Sequence, residues 1–272
     1  MGIKQNLKKV FLPWRHQIKQ LRARMDDMDV QLRQWKSLAE MKYQFSLPPV
    51  PPKSLQVRVA GSYHEAFFEH GRGMFRDMQA ILGKHGLSFS GFNNILDFGC
   101  GCGRLLIPMS ILADAGKLSG TDIDAEAIAW MRNSYSCFKD LDVNAEAPPT
   151  KYGDGQFDFI YSISIFTHLP EEMQRAWLGE LARIIKPGGH GIFTTHGENH
   201  FHYLTESDRG KLSANGFVYT DFGATEGLPE FYRTSFQTRE YIMREWGRHF
   251  DVVEIFEKGI CQNQDAVLVR KR

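Results

Sequence analysis

Three glycines at alternate positions, Gly99, Gly101 and Gly103, follow directly on the apolar run Ile95-Leu96-Asp97-Phe98 and lead into a helix-patterned stretch, Arg104–Ala113. A buried strand that turns through glycines into a helix is the opening of a βαβ crossover, because glycine permits the tight turn and lets a ligand approach with no Cβ in the way. The same rhythm then continues along the chain. Lys117–Ile123 reads as a strand, Ala125–Asn133 as a helix, Phe157–Ile163 as a strand, Glu171–Ile185 as a helix and Gly191–Thr195 as a strand. Farther on, Thr238 is placed to cap a helix reaching His249, and Val252–Phe256 and Ala266–Val269 read as two closing strands. Upstream, apolar spacing predicts a helix from His64 to about Lys84, ended by Gly83 and Gly86. Such an order predicts an α/β fold: a doubly wound, mostly parallel seven-stranded sheet with helices on both faces.

The first 42 residues follow another rule. Leu7, Phe11, Trp14, Ile18, Leu21, Met25, Met28, Leu32 and Trp35 recur in steps of four and three, a heptad seam. This predicts a helical arm over 1–45, which either forms a coiled coil, docking a partner or a second copy through residues 7–35, or packs on its own domain. Ten Lys and Arg against four Asp and Glu make residues 1–42 basic, whereas the remainder is net acidic. The overall charge of +1 therefore excludes a uniformly basic nucleic-acid-binding surface but leaves a basic arm able to meet an anionic one. Four prolines between Ser46 and Lys53 predict an extended spacer over 46–53, with the main domain running from 54 to 272. No apolar run reaches the roughly 18 residues of a membrane span. The four cysteines form no CxxC pair and no secretory signal opens the sequence, so a reducing, cytoplasmic setting is expected.

Asp122, nineteen residues beyond Gly103, ends the second strand, where a carboxylate can accept from both hydroxyls of a ribose. The unit is therefore read as nucleoside-binding. A dinucleotide fingerprint, GxGxxG, needs glycine at 104 or 106, and the chain has Arg104 and Leu106. Asp97, directly before the loop, suits a ligand that brings an ammonium group rather than a pyrophosphate.

These residues resemble the class I S-adenosylmethionine-dependent methyltransferases. The stretch 95–103 is similar to that family's first motif, Gly120-Thr121-Asp122-Ile123-Asp124 to its second, Phe157-Asp158-Phe159-Ile160-Tyr161 to its fourth strand, and Leu181–Gly189 to the entry of its fifth. The resemblance spans about 94–196. It implies that Asp97, Phe98, Gly99, Cys100, Gly101 and Gly103 surround the methionyl end of the cofactor, that Asp122 holds the ribose, and that Ile123 covers the adenine. Asn144 and Ala145 would meet the adenine edge, although Asn144 stands where the family often has Asp. Ser162 to Ser164 would lie near the reactive methyl.

Methyl transfer from a sulfonium needs alignment and exclusion of water more than a strong acid or a metal. A hydroxyl acceptor gains from a general base, and His168 and His196, after the fourth and fifth strands, are the candidates. His196, Glu198, His200 and His202 alternate as a strand would, which places ligands on one face, yet such a lone cluster is more commonly a solvated loop and no metal is expected. The insertion 197–237 is rich in aromatics and long enough to act as an acceptor lid. The amide signature of nitrogen-methylating members is absent: Ser162-Ile163-Ser164-Ile165 stands in its place. The expectation is transfer to oxygen on a small-molecule or glycan-like acceptor. An RNA or protein acceptor anchored by the basic arm, or a non-catalytic S-adenosylmethionine-binding subunit, are the alternatives.

Overall fold

The computed structural model describes residues 49–63, 65–221 and 229–272, together with 17–19, 21–22, 24–25 and 28–29. The chain divides into two units, Met1–Val50 and Pro51–Arg272. In the first, the described residues between 17 and 29 are helical, and Ile18, Leu21, Met25 and Met28 are exposed. The other members of the heptad seam, and residues 46–48 of the expected spacer, lie outside the described residues.

The second unit is built on a seven-stranded sheet of order β3-β2-β1-β4-β5-β9-β8. Its strands are β1 (Ile95–Phe98), β2 (Leu118–Asp122), β3 (Asp140–Val143), β4 (Phe157–Ser162), β5 (Ile185–Thr195), β8 (Phe250–Ile260) and β9 (Gln264–Lys271). The first five are parallel, and β9 runs antiparallel to both β5 and β8. Side chains alternate across the sheet and feed two cores. Ile95, Phe159, Tyr161 and Ile192 face one, and Leu96, Phe98, Ile160 and Phe193 face the other. Helices α2 (Phe67–Lys84), α3 (Leu106–Leu112) and α4 (Ala125–Ser134) cover the first layer, while α5 (Glu171–Ile184) and α7 (Arg239–Glu245) cover the second. Thr238 caps α7 as expected, its hydroxyl accepting from the Tyr241 N–H at 3.2 Å. The helix is shorter than expected, passing at Trp246–Arg248 into a 3-10 turn.

Four features depart from the expected elements. Helix α1 (Lys53–Ala60) begins inside the proline-rich stretch, because Pro52 fits just ahead of the first helical turn and Gly61, at φ +73°, closes the helix. Strand β3 is an edge strand with Leu141 alone turned to the core, too little apolar signal for periodicity to register. Strand β5 starts six residues before Gly191, at Ile185, because Lys186–Gly189 continue the strand past a bulge opposite Phe157–Phe159. The insertion is itself ordered. It holds α6 (Glu206–Asn215) and a hairpin of β6 (Phe217–Thr220) with β7 (Thr234–Gln237), packed on a small core of Leu204, Leu212, Val218 and Phe236. Among the described residues no helix is long and apolar enough to cross a membrane.

Candidate functional site

The parallel strands end in an open cleft. Gly99, Gly101, Asp122 and Ile123 line it from the first βαβ unit, and Asn144, Ala145 and Glu146 from the loop after β3. Two further segments enclose it: α1, through Arg58 and Val59, and the insertion, through Pro229, Phe231 and Tyr232.

The glycine loop turns back on β2, since the N–H groups of Gly99 and Cys100 both donate to the Thr121 carbonyl at 2.8 and 3.1 Å. Gly99 and Gly101 have φ of +85° and +52°, and a Cβ on either would stand 2.4 Å from a neighbouring side chain, Ile165 and Val59 respectively. Only glycine meets both demands. The Asp122 carboxylate braces the loop: Oδ2 accepts from the Gly101 N–H at 2.7 Å and Oδ1 from the Asp124 N–H at 2.8 Å. Burial pushes its pKa up, and these N–H donors pull it back. Asp124 caps α4 and pairs with Arg58 at 3.2 Å, while Arg58 also reaches Glu126 at 2.6 Å, so α1 is pinned to the start of α4.

The expected cofactor residues divide into those on the cleft and those behind it. Phe98, Gly99, Gly101, Asp122, Ile123, Asn144 and Ala145 line it. Asp97, Cys100, Gly103 and Ser162 do not; Asp97, Cys100 and Ser162 are buried beneath the loop. Burial raises the Asp97 carboxyl to about 8, against the Tyr161 hydroxyl beside it and the more distant Arg104, which both favour ionisation. The Asn144 amide is engaged on both sides, accepting from Thr121 Oγ1 at 2.9 Å and donating to the Ala145 carbonyl at 2.8 Å. Phe98 packs on Trp177, ring centroids 4.7 Å apart, and Trp177 also lines the cleft.

At the end of β4, Ser164 takes φ +64°, uncommon for a residue with a side chain. Its N–H donates to Thr194 Oγ1 at 2.8 Å, and its carbonyl accepts from the Tyr232 hydroxyl at 2.8 Å. Neither His168 nor His196 lines the cleft. His168 is stacked on Tyr232 at 4.4 Å and donates through Nδ1 to the Arg233 carbonyl. His196 donates likewise to the Ser235 carbonyl at 3.2 Å and lies 4.5 Å, centroid to centroid, from His200. Burial lowers the pKa of both, that of His196 to about 3 with help from His200 and His168. The alternation of His196, Glu198, His200 and His202 is not realised as a strand, because Glu198–Tyr203 winds into a 3-10 turn. Among the described residues no group of three His, Cys, Asp or Glu could hold a metal.

Arg58, Val59, Arg104, Glu146 and Trp177 line the cleft without having been expected there. Arg104 carried a signal, a cation directly after the glycine loop; Phe231 and Tyr232 had one in the aromatic richness of the insertion.

Residues 95–189 match the profile of a methyltransferase domain family. Those residues carry a methyltransferase domain. The chain is similar to a tRNA N(3)-methylcytidine methyltransferase of Schizosaccharomyces pombe, 26% identical over 137 residues, covering 47% of this chain and 55% of that one. It is also similar to a ubiquinone biosynthesis O-methyltransferase of Sodalis glossinidius, 29% identical over 115 residues, covering 39% and 42%. The chain thus spans about half the length of the curated relatives it matches. In fold it resembles the magnesium protoporphyrin IX methyltransferase of Synechocystis PCC 6803, solved with bound SAH, at a TM-score of 0.53 and 16% identity over 79% of this chain and 92% of that one. The methyltransferase domain places its glycine loop, acid and insertion around one cleft.

Proposed function

We propose that the chain is an S-adenosylmethionine-dependent methyltransferase that transfers to oxygen on a small-molecule or glycan-like acceptor. The observation that carries this reading is a single cleft in which the glycine loop and Asp122 sit opposite aromatic side chains, Phe231 and Tyr232, supplied by the insertion. The donor set fits the cofactor: glycines that a Cβ would block, a carboxylate at the end of β2, and apolar walls of Ile123, Phe98 and Trp177.

When bound, S-adenosylmethionine supplies a methyl group on a sulfonium, open to in-line displacement. Asp122 would accept from the ribose hydroxyls, and Asp97, beneath the loop, would attract the methionyl ammonium. Ile123, Asn144 and Ala145 would frame the adenine. Val59 and Tyr232, from opposite segments, would exclude water, and Tyr232 would hold the acceptor side through its bond to the Ser164 carbonyl. His168, neutral and stacked on Tyr232, supports that wall, and a base role for it requires Tyr232 to move aside. The arm, with Ile18, Leu21, Met25 and Met28 exposed, is read as an oligomerisation or docking element, testable by sedimentation of the full chain against a Leu21→Asp, Met25→Asp variant.

An RNA acceptor is the second reading, favoured by the tRNA-modifying relative and the basic first 42 residues. Incubation with methyl-labelled cofactor and, in parallel, hydroxylated small molecules, glycans and total tRNA separates the two. Label in tRNA alone would overturn the oxygen, small-acceptor reading.

A further inference from the structure

Arg104 stands on the cleft with its charge unmet. Arg58, the other lining arginine, pairs with Asp124 and Glu126. The half-buried Arg104 has no hydrogen-bond or ion-pair partner for its guanidinium among the described residues. Its strongest electrostatic neighbours are, in order, Cys261, Tyr232, Cys102 and Asp97. Burial keeps each of them protonated at neutral pH, raising both thiols, the Tyr232 hydroxyl and the Asp97 carboxyl, the last to about 8 against the pull of Tyr161. None of the four offsets the cation. A guanidinium offers five donors, and enclosing one without an acceptor is costly, so the position suits a ligand that brings an anion.

The topology decides which half of the cleft this cation serves. In the sheet order β3-β2-β1-β4-β5-β9-β8, the residues read as framing the ribose and adenine, Asp122, Ile123, Asn144 and Ala145, end or follow β2 and β3. The two groups that act most strongly on Arg104 belong to the opposite half: Cys261 to the turn joining β8 to β9, and Tyr232 to the insertion after β5. That half forms a braced wall. The Cys261 N–H donates to Asp77 Oδ2 of α2 at 2.7 Å, His200 Nε2 meets Asn263 Oδ1 at 3.0 Å, and Gln264 Nε2 donates to Ser164 Oγ at 2.8 Å. The Tyr232 hydroxyl donates to the Ser164 carbonyl, so the insertion, the turn and the end of β4 are tied together beside the guanidinium. Helix α2 also approaches so closely at Gly71 that a Cβ there would lie 1.8 Å from the Arg104 carbonyl oxygen, which fixes the backbone from which the side chain departs.

We propose that Arg104, beside Ser164 and Tyr232, is the anion subsite for the acceptor, so that the substrate is a hydroxylated small molecule or glycan that also bears a carboxylate or a phosphate. This rests on the reading of the cleft as the site of methyl transfer to a small acceptor. A planar guanidinium takes either anion in two parallel bonds and so fixes the orientation of the acceptor as well as its charge. A neutral sugar leaves the cation unpaired and is selected against.

Modification of the full chain by phenylglyoxal, which attacks guanidinium groups, tests this when the Arg104 peptide is followed by mass spectrometry. The reaction is run on the free chain, with saturating S-adenosylhomocysteine, and on the S-adenosylhomocysteine-loaded chain with inorganic phosphate, acetate, glucose or total tRNA at constant ionic strength. Arg104 is expected to react in the loaded chain within about twofold of its rate in the free chain, and a saturating anion is expected to slow it about tenfold or more while glucose leaves it unchanged. The stronger protector of phosphate and acetate names the group the acceptor carries. Protection by S-adenosylhomocysteine alone overturns the proposal by giving the guanidinium to the cofactor. So does an Arg104 that neither anion protects, one that does not react in the free chain, or protection by tRNA without protection by either small anion. Calorimetry on the same samples separates the two readings: a chain that gives no heat with S-adenosylhomocysteine overturns the cofactor reading, whereas anion protection of Arg104 is read independently of it.

Discussion

Replacing Gly101 by alanine tests the packing of α1 on the glycine loop. Two costs are expected. At φ +52° a side chain enters the left-handed region, at about 1–2 kcal/mol. The added Cβ would also stand 2.4 Å from Val59 Cγ2, and valine is stiff at χ1, so relief requires a strained rotamer at about 0.5–1.5 kcal/mol or a shift of α1. Together these predict a loss of about 2–3 kcal/mol, read as a lowered urea midpoint. The second cost is removable. In the double variant Gly101→Ala, Val59→Ala the nearest atom becomes the residue-59 Cβ at 3.5 Å, an ordinary contact. The double-mutant cycle should therefore return about 1 kcal/mol of favourable coupling. Strict additivity, or a Gly101→Ala variant as stable as the parent, would refute the placement of Val59 over the loop.

Two further predictions concern pH. Burial raises the Asp97 carboxyl from 3.8 to about 8, so between those values the folded chain holds a proton that the unfolded chain has released. Its contribution to stability is full below about 3.8 and is lost as pH rises toward 8; Asp97→Asn should remove that decline, and an unchanged slope in denaturation midpoints across pH 4–8 would contradict the assignment. His196 acts in the opposite sense, since burial lowers it from 6.5 to about 3 and the unfolded chain alone takes the proton between them. Stability should fall as pH drops below 6.5, and His196→Gln should make that acid limb shallower; an equally steep limb in the variant would count against a neutral, buried imidazole.

The parallel βα core was legible because its strands are short apolar runs bounded by glycine and its helices carry a clear apolar face. Phe67, Met74, Phe75, Met78, Ile81 and Leu82 of α2 are all buried on that periodicity. Legibility failed where one or two apolar residues suffice. Helix α1 buries Leu55 and Gln56, and β3 turns Leu141 alone inward, so neither leaves a pattern, although α1 supplies part of the cleft wall. The insertion escaped for another reason: its hairpin forms a separate two-stranded sheet, and α6 is polar around Leu212. The cleft followed the same division. Asp122 could be assigned from its spacing to the glycine loop and Ile123 from the family resemblance, whereas Val59 and Trp177 reach the cleft only through tertiary packing. The histidines were chosen from their positions after β4 and β5, and sequence had no means of placing Tyr232 against His168.

The central claim, that the cleft binds S-adenosylmethionine through the glycine loop and Asp122, is tested most directly by calorimetric titration of the full chain. S-adenosylmethionine should bind one per chain, with affinity falling about tenfold or more in a folded Asp122→Ala variant, while NAD gives no heat. A well-folded parent that ignores S-adenosylmethionine, or that binds NAD in its place, would contradict the account.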